Sequence, residues 1–154
     1  MVISNERMAH MHGVAEWMYA HAEEYGCKKN KEEMYILGLL HDIGYIYGKP
    51  NHEKLGAQLI GPKTDYADII AYHGSTPQEY MNAHQCFDPD IPKEMILLWV
   101  ADMMIDSKGE EVGFQARLME IEAAYGNASV PYKTAKAIVD WLHYHNVMEF
   151  LSEK

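Results

Sequence analysis

The spacing of apolar residues limits the fold of this chain more than any other feature of its sequence. Apolar side chains recur three or four positions apart in the first segment, as in Met8, Met11, Ala15, Met18 and Ala22. This spacing places side chains on one face of an α-helix. Most later segments repeat it, and none alternates apolar and polar residues as a half-buried strand would. The sequence therefore predicts an all-α fold of about six or seven helices.

Residues that typically begin or end helices divide the chain into segments. Ser4 or Asn5 is suited to cap a first helix that ends at Gly26. Asn30 and Glu33 resemble a capping box at the start of a second helix. Further helices are predicted at 51–61, 65–73, 92–105, 110–125 and about 131–152. Loops are predicted at 45–50 and 75–92, the second with a helical turn at 79–83.

Length, charge and cysteine content exclude several classes of protein. A chain of 154 residues suits one domain with its own core, predicted to span residues 1–154. The net charge of −10, with no basic cluster beyond the short 28–31 segment, argues against nucleic-acid binding. No apolar run reaches the about 18 residues that a membrane span needs. Cys27 and Cys86 form no CxxC pair, which favours a reducing, cytoplasmic location.

Polar residues that interrupt apolar helices are the candidates for chemistry. The chain has nine histidines, and histidine is the commonest metal ligand in proteins. Six histidines and aspartates lie on an apolar helical face or at a helix end: His10, His41, Asp42, His52, His73 and Asp102.

Asp102 is the most informative of these residues because it lies in the strongly apolar segment 95–105. An ionised carboxylate in such a helix needs a partner or a raised pKa. Two interpretations stay open: a buried aspartate bonded to helix termini or an arginine, and a metal ligand. Imidazole and carboxylate donors together suit iron, manganese, cobalt, nickel or zinc better than calcium or magnesium.

The ordered set of motifs resembles the HD-domain superfamily of metal-dependent phosphohydrolases over about residues 5–125. The resemblance rests on these motifs: Arg7-Met8-Ala9-His10, His41-Asp42-Ile43-Gly44, His52 with Gly56-Ala57, His73, and Ala101-Asp102. It implies an all-helical fold of one HD-type domain with a metal in a helical cleft.

Site residues follow from the resemblance position by position. His10, His41, Asp42 and Asp102 match the four-ligand signature of the superfamily. In the subset with two metals, which is similar to symmetric diadenosine tetraphosphate hydrolases, two further histidines bind the second ion and the aspartate of the His-Asp pair bridges both. Those two positions correspond to His52 and His73.

The implied activity is hydrolysis of a nucleotide, a dinucleotide or another small phosphoester by a metal-activated water. The implied cofactor is a pair of divalent ions, iron or manganese first, with cobalt, nickel or zinc as alternatives. Asp42, Arg7 and Lys49 are the expected catalytic residues. Arg7 is expected to orient a carboxylate or bind phosphate, with a surface ion pair as the alternative, and Lys49 to meet a phosphate, with a solvated loop lysine as the alternative.

Two other functions stay open at this point. Some HD-type proteins with a similar six-residue site use two irons to activate oxygen. The other alternative is a non-catalytic module that binds a nucleotide. The expected partner is a small, nucleotide-like phosphorylated substrate, with no nucleic acid and no membrane. Amphipathic helices also permit a homodimer.

Overall fold

The computed structural model describes residues 3–47, 51–61 and 64–147 and confirms the predicted all-α fold. These ranges contain eight α-helices, two 3₁₀ helices at Ile43–Tyr47 and Asp88–Asp90, and no strand beyond one isolated bridge between Ile105 and Glu111. The α-helices are α1 (Asn5–Tyr25), α2 (Lys31–Leu40), α3 (His52–Ile60), α4 (Asp65–Tyr72), α5 (Pro77–His84), α6 (Lys93–Met104), α7 (Phe114–Tyr125) and α8 (Val130–Tyr144).

One of the eight helices, α5, was not predicted as a helix. The sequence predicted a loop with a single helical turn there. Thr76 and Glu79 form a reciprocal capping box at its start, and Pro77 occupies the first turn. Only Pro77 and Tyr80 are buried in this helix. Local capping therefore begins a helix whose apolar stripe is too short to be read from periodicity.

Two other helix boundaries differ from the prediction. α7 begins at Phe114 rather than Glu110 because Glu111 pairs with Ile105 and Gly113 has a φ of 93°. α8 ends at Tyr144, and Asn146 just beyond it has a φ of 54°. Residues 148–154 of the predicted last helix lie outside the described residues.

α6 lies at the centre of the core. Every residue from Met95 to Ala101 is buried, so this helix is apolar on all sides. α1 packs against both α2 and α6, α3 packs against α4, and α7 packs against α8. Asp102 follows the buried run directly, so the packing of α6 fixes its position. None of the described helices is long and apolar enough to cross a membrane.

Two glycines let backbones approach closely beside the polar residues. A Cβ on Gly38 of α2 would lie 2.8 Å from the Ala15 Cα of α1. A Cβ on Gly44 would overlap the carbonyl oxygen of His52. The first contact brings α1 against α2, and the second brings the start of α3 against the 3₁₀ helix that follows Asp42.

Candidate metal centre

The structure brings all six predicted ligand residues together: five of them line one cleft, and His41 is fully buried beside them. His10 comes from α1, His52 is the first residue of α3, and Asp102 lies on α6. The other three residues, His41, Asp42 and His73, directly follow the ends of α2 and α4. Each of the six residues thus lies at a helix end or on an apolar helix, as the sequence predicted. Their role as ligands stays a prediction.

Asp42 lies between two groups of imidazoles, and each of its oxygens faces one group. Its Oδ2 atom lies 3.2 Å from His41 Nε2 and 3.8 Å from His10 Nε2. Its Oδ1 atom lies 3.3 Å from His52 Nε2 and 3.2 Å from His73 Nε2. A carboxylate placed in this way can contact two cations, one through each oxygen.

Asp102 completes the first group. Its Oδ1 atom lies 2.7 Å from His10 Nε2 and 3.5 Å from His41 Nε2. Ligand atoms of His10, His41 and Asp102 all lie within 4.8 Å of one another, as do those of His41, Asp42 and His73. Both sets could hold a metal ion.

The second group is a compact triangle of Asp42 Oδ1 and two imidazole nitrogens. The Nε2 atoms of His52 and His73 are 3.3 Å apart, and each is within 3.3 Å of Asp42 Oδ1. Donor atoms bound to one ion at about 2.0–2.2 Å, at tetrahedral or octahedral angles, lie about 3.0–3.5 Å from one another. The triangle therefore has the dimensions of a metal-binding face.

Backbone carbonyls fix the tautomers of three of these histidines. The Nδ1 atoms of His41 and His73 each donate to a carbonyl at 2.6 Å, those of Gly38 and Ile70. His10 Nδ1 donates to the Asp106 carbonyl at 3.1 Å. A neutral imidazole that donates through Nδ1 carries its lone pair on Nε2. All three lone pairs therefore face the carboxylates.

His41 provides a direct test of whether the site suits a cation. Its Nε2 atom is buried and has no hydrogen-bond partner, although Asp42 and Asp102 oxygens lie 3.2 and 3.5 Å away. A buried polar atom without a partner is costly, and a cation at this point would satisfy it. The residues present therefore fit a metal ion.

The electrostatics of the cleft favour positive charge. Burial lowers the pKa of His41, but the negative charges of Asp42 and Asp102 outweigh burial and raise it to about 10. Burial raises the pKa of both aspartates, but the neighbouring histidines hold it well below its usual range. Two buried carboxylates thus stay ionised and attract a proton or a metal ion.

Arg7 contacts Asp42, a carboxylate that it was predicted to orient, and this orienting role stays a prediction. Its Nη1 atom donates to Asp42 Oδ2 at 3.1 Å. Its guanidinium lies 3.9 Å from the ring centre of Tyr45, which also stacks on His52 at 3.9 Å. Two planar groups cannot occupy the same face of one ring, so Tyr45 separates Arg7 from His52. Lys49, the other predicted cation, lies outside the described residues.

Sequence reasoning missed a second arginine. Arg117 of α7 donates from Nε to the Asp102 carbonyl at 3.0 Å and pairs through Nη1 with Glu120. Glu120 in turn accepts from the Ser107 hydroxyl at 2.8 Å. An Arg and a Glu three residues apart look like an ordinary surface pair on a helix, so only the fold reveals that they support Asp102.

Five of the six candidate ligands, all except His41, line a cleft with a volume of about 440 Å³. Residues of α7 and α8 line another part of it. A cleft of this size is within the range of about 300–1,000 Å³ that small-molecule sites occupy.

Comparison with known proteins identifies one family. The HD domain family matches residues 7–145, a span that contains all six candidate ligands. No curated protein and no solved structure matches the chain. Because the match covers most of the sequence, the chain belongs to the HD-domain family.

Proposed function

We propose that this protein is a metal-dependent phosphohydrolase with two divalent ions. In this proposal His10, His41, Asp102 and Asp42 hold the first ion, and His52, His73 and Asp42 hold the second. The observation that carries it is the placement of Asp42, whose two oxygens face separate groups of imidazole Nε2 atoms. Family membership adds support, because HD domains are generally metal-dependent hydrolases.

Divalent ions of this kind act as Lewis acids toward a phosphoryl oxygen and lower the pKa of water toward neutrality. The protein's own contribution is to hold Asp42 in place through Arg7 and to keep the imidazole lone pairs directed inward through backbone carbonyls. Four imidazoles and two carboxylates suit iron or manganese, with cobalt, nickel or zinc as alternatives.

Water is the proposed nucleophile, and the two serine hydroxyls of the described cleft lining have other hydrogen bonds. The Ser4 hydroxyl accepts from the Arg7 backbone N–H at 3.1 Å, and the Ser107 hydroxyl donates to Glu120. The proposed substrate is a small phosphoester such as a nucleotide or dinucleotide.

The test is elemental analysis of the purified protein, followed by a phosphatase screen with manganese or cobalt under anaerobic conditions. We expect two ions per chain and hydrolysis of at least one substrate, with release of phosphate from a monoester or of nucleotides from a dinucleotide. Oxygen consumption with a mixed-valence iron signal, without phosphate release, would instead indicate an oxygenase. Tight nucleotide binding without turnover at any metal load would indicate a binding module.

Replacement of Asp42 by Asn keeps the size of the side chain and removes its charge. Because both groups of imidazoles share this carboxylate, we expect the variant to lose both ions and all hydrolysis, measured by elemental analysis and phosphate release. Asp65→Asn is the matched control, since the Asp65 side chain is 87% exposed and away from the cleft. A D42N protein that kept both ions would contradict the bridging role.

A further inference from the structure

Part of the cleft lining is apolar. The end of α7 and the first half of α8, which also contributes Thr134, supply the apolar residues that we call the leaving-group wall: Ile121, Ala124, Val130, Pro131 and Ile138. Val130 is 76% exposed although it is aliphatic. Exposed apolar side chains that border a polar cleft are typical of a surface that binds an apolar ligand group.

The charges that line the cleft limit how many phosphates a substrate can carry. Its described lining has five carboxylates and two guanidiniums: Glu6, Asp42, Glu53, Asp102, Glu120, Arg7 and Arg117. With neutral histidines their net charge is −3, which two divalent ions would change to +1. A dianionic phosphate suits such a cleft better than a polyphosphate chain does.

Both guanidiniums in the described lining are already engaged. Arg7 donates to Asp42, and Arg117 pairs with Glu120 and donates to the Asp102 carbonyl. A second or third phosphate would therefore meet the carboxylates of Glu6 and Glu53 rather than a cation. Among the described lining residues, neither guanidinium is thus free for a second phosphoryl group, and Lys49 lies outside the described residues.

We propose that the substrate is a phosphomonoester whose single phosphoryl group faces the metal centre and whose apolar or aryl leaving group lies against the leaving-group wall. This inference rests on the proposed function. Hydrolysis forms a bond between the water oxygen and phosphorus and breaks the bond between phosphorus and the ester oxygen. One proton of the water goes to the released alcohol, and the other product is inorganic phosphate.

Three probes test the substrate class on the metal-loaded full chain. Phenyl phosphate offers an aryl group, glycerol phosphate a polar group, and diadenosine tetraphosphate a polyphosphate chain. We expect kcat/KM for phenyl phosphate to exceed that for glycerol phosphate by at least about tenfold, since burial of a phenyl ring is worth this much. The tetraphosphate is expected to be the poorest of the three.

Binding of phosphonates supplies a readout that needs no turnover. Phenylphosphonate and methylphosphonate carry the same phosphoryl group and differ only in the apolar part. Calorimetric titration should show that phenylphosphonate binds at least about tenfold more tightly.

A pair of double variants assigns this preference to the leaving-group wall. Ala124→Asn with Val130→Asn makes two exposed wall positions polar without adding charge. Met119→Asn with Tyr144→Asn is the matched control, because these residues are also exposed on α7 and α8 but do not line the cleft. We expect the wall variant to lose most of the preference for phenyl over methylphosphonate and the control to retain it.

The outcomes separate this inference from the proposed function. Phosphate release with equal rates for phenyl and glycerol phosphate, or with a preference for the tetraphosphate, would overturn the inference and leave the hydrolase intact. A phenylphosphonate preference that the wall variant loses, without hydrolysis of any ester, would support the wall and overturn the hydrolase. If the protein shows no preference for phenylphosphonate and hydrolyses no ester, both the inference and the proposed function are overturned.

Discussion

An imidazole can hold a cation only through a nitrogen that carries no proton. His10, His41 and His73 meet this requirement because each gives its Nδ1 proton to a backbone carbonyl. For His41 and His73 that carbonyl lies three residues earlier in the same chain segment. The helix end that places each of these two side chains therefore also sets its tautomer, and the direction of the lone pair follows from local backbone structure.

Residue types and their positions in apolar segments singled out six candidates for chemistry, and the resemblance to the HD superfamily implied their roles as ligands. Arg117, Glu120 and Ser107 could not be predicted, because each is an ordinary polar residue in an ordinary helical or loop context. Their relation to Asp102 depends on how α7 packs beside α6, which no local pattern encodes. Tyr45 could not be placed from local sequence either, because its position between Arg7 and His52 depends on tertiary contacts.

His52 and His73 are expected to serve only the second ion. Replacement of either by Ala should lower the metal content from two ions to one, measured by elemental analysis of protein prepared without chelators. His84→Ala is the matched control, since His84 pairs with Asp68 on another side of α4 and α5. Unchanged stoichiometry in both site variants would mean that these two histidines face the substrate instead.

At the scale of secondary structure, close helix contacts decide where the ligands stand. α1 and α2 meet at Gly38, and the segment after Asp42 meets α3 at Gly44. The sequence predicted most helices because their apolar stripes are long. The prediction missed α5 because this helix begins at a capping box and buries few residues. The predicted start of α7 was too early because Glu111 forms a tertiary bridge with Ile105.

Alanine at each of these glycines should disturb a different half of the site. Gly38→Ala would push α1 from α2 and separate His10 from His41, so the first ion should be lost. Gly44→Ala would push the start of α3 away and move His52, so the second should be lost. Overpacking of this kind costs about 1–3 kcal/mol of unfolding free energy. Each variant is the control for the other, and identical metal content in both would contradict the assignment.

α4 and α5 are joined by a pair that titrates outside the cleft. His84 Nε2 lies 2.9 Å from Asp68 Oδ2, and His84 Nδ1 donates to the Tyr80 carbonyl. Burial lowers the pKa of His84, but Asp68 and Tyr80 outweigh burial and raise it. A raised histidine pKa stabilises the fold fully below the unfolded value of about 6.5, and this stabilisation is lost as pH rises through the folded pKa.

The expected consequence is a pH-dependent effect of Asp68→Asn. In chelator, the substitution should lower the unfolding free energy at about pH 5.5 by at most about 1 kcal/mol, and the difference should vanish near pH 9. Asp140→Asn removes a partner of Lys136, which does not titrate in this range, so its effect should stay constant. Denaturant unfolding at both pH values measures the difference. Equal effects of D68N at the two pH values would contradict the assignment of this stabilisation to the His84–Asp68 pair.

For the whole molecule, the candidate site connects distant parts of the chain. Its side chains come from α1, the ends of α2 and α4, the start of α3, and α6. A homodimer, the cytoplasmic location and the identity of the ions stay predictions. The extent of the domain beyond the family match at 7–145 stays a prediction too.

Metal removal should therefore destabilise the entire fold. An ion at a hundred times its dissociation constant adds about 2.7 kcal/mol, which for a chain of this size corresponds to about 5–10 °C in Tm. We expect Tm to fall by at least this amount after treatment with a chelator and to recover when manganese or iron is added back. Asp42→Asn protein should show no such change. A Tm that does not change on treatment with the chelator would contradict the proposal of two tightly bound ions.

The separation of the ligands along the chain also sets an order of events during synthesis. His10 and Asp102 are partners across 92 residues, and the His41-Asp42 pair lies between them. A ribosome makes the first of these residues long before the last, and the first group of donors is incomplete until α6 has emerged and packed. We therefore expect binding of the first proposed ion to be a late step, which follows the packing of α6.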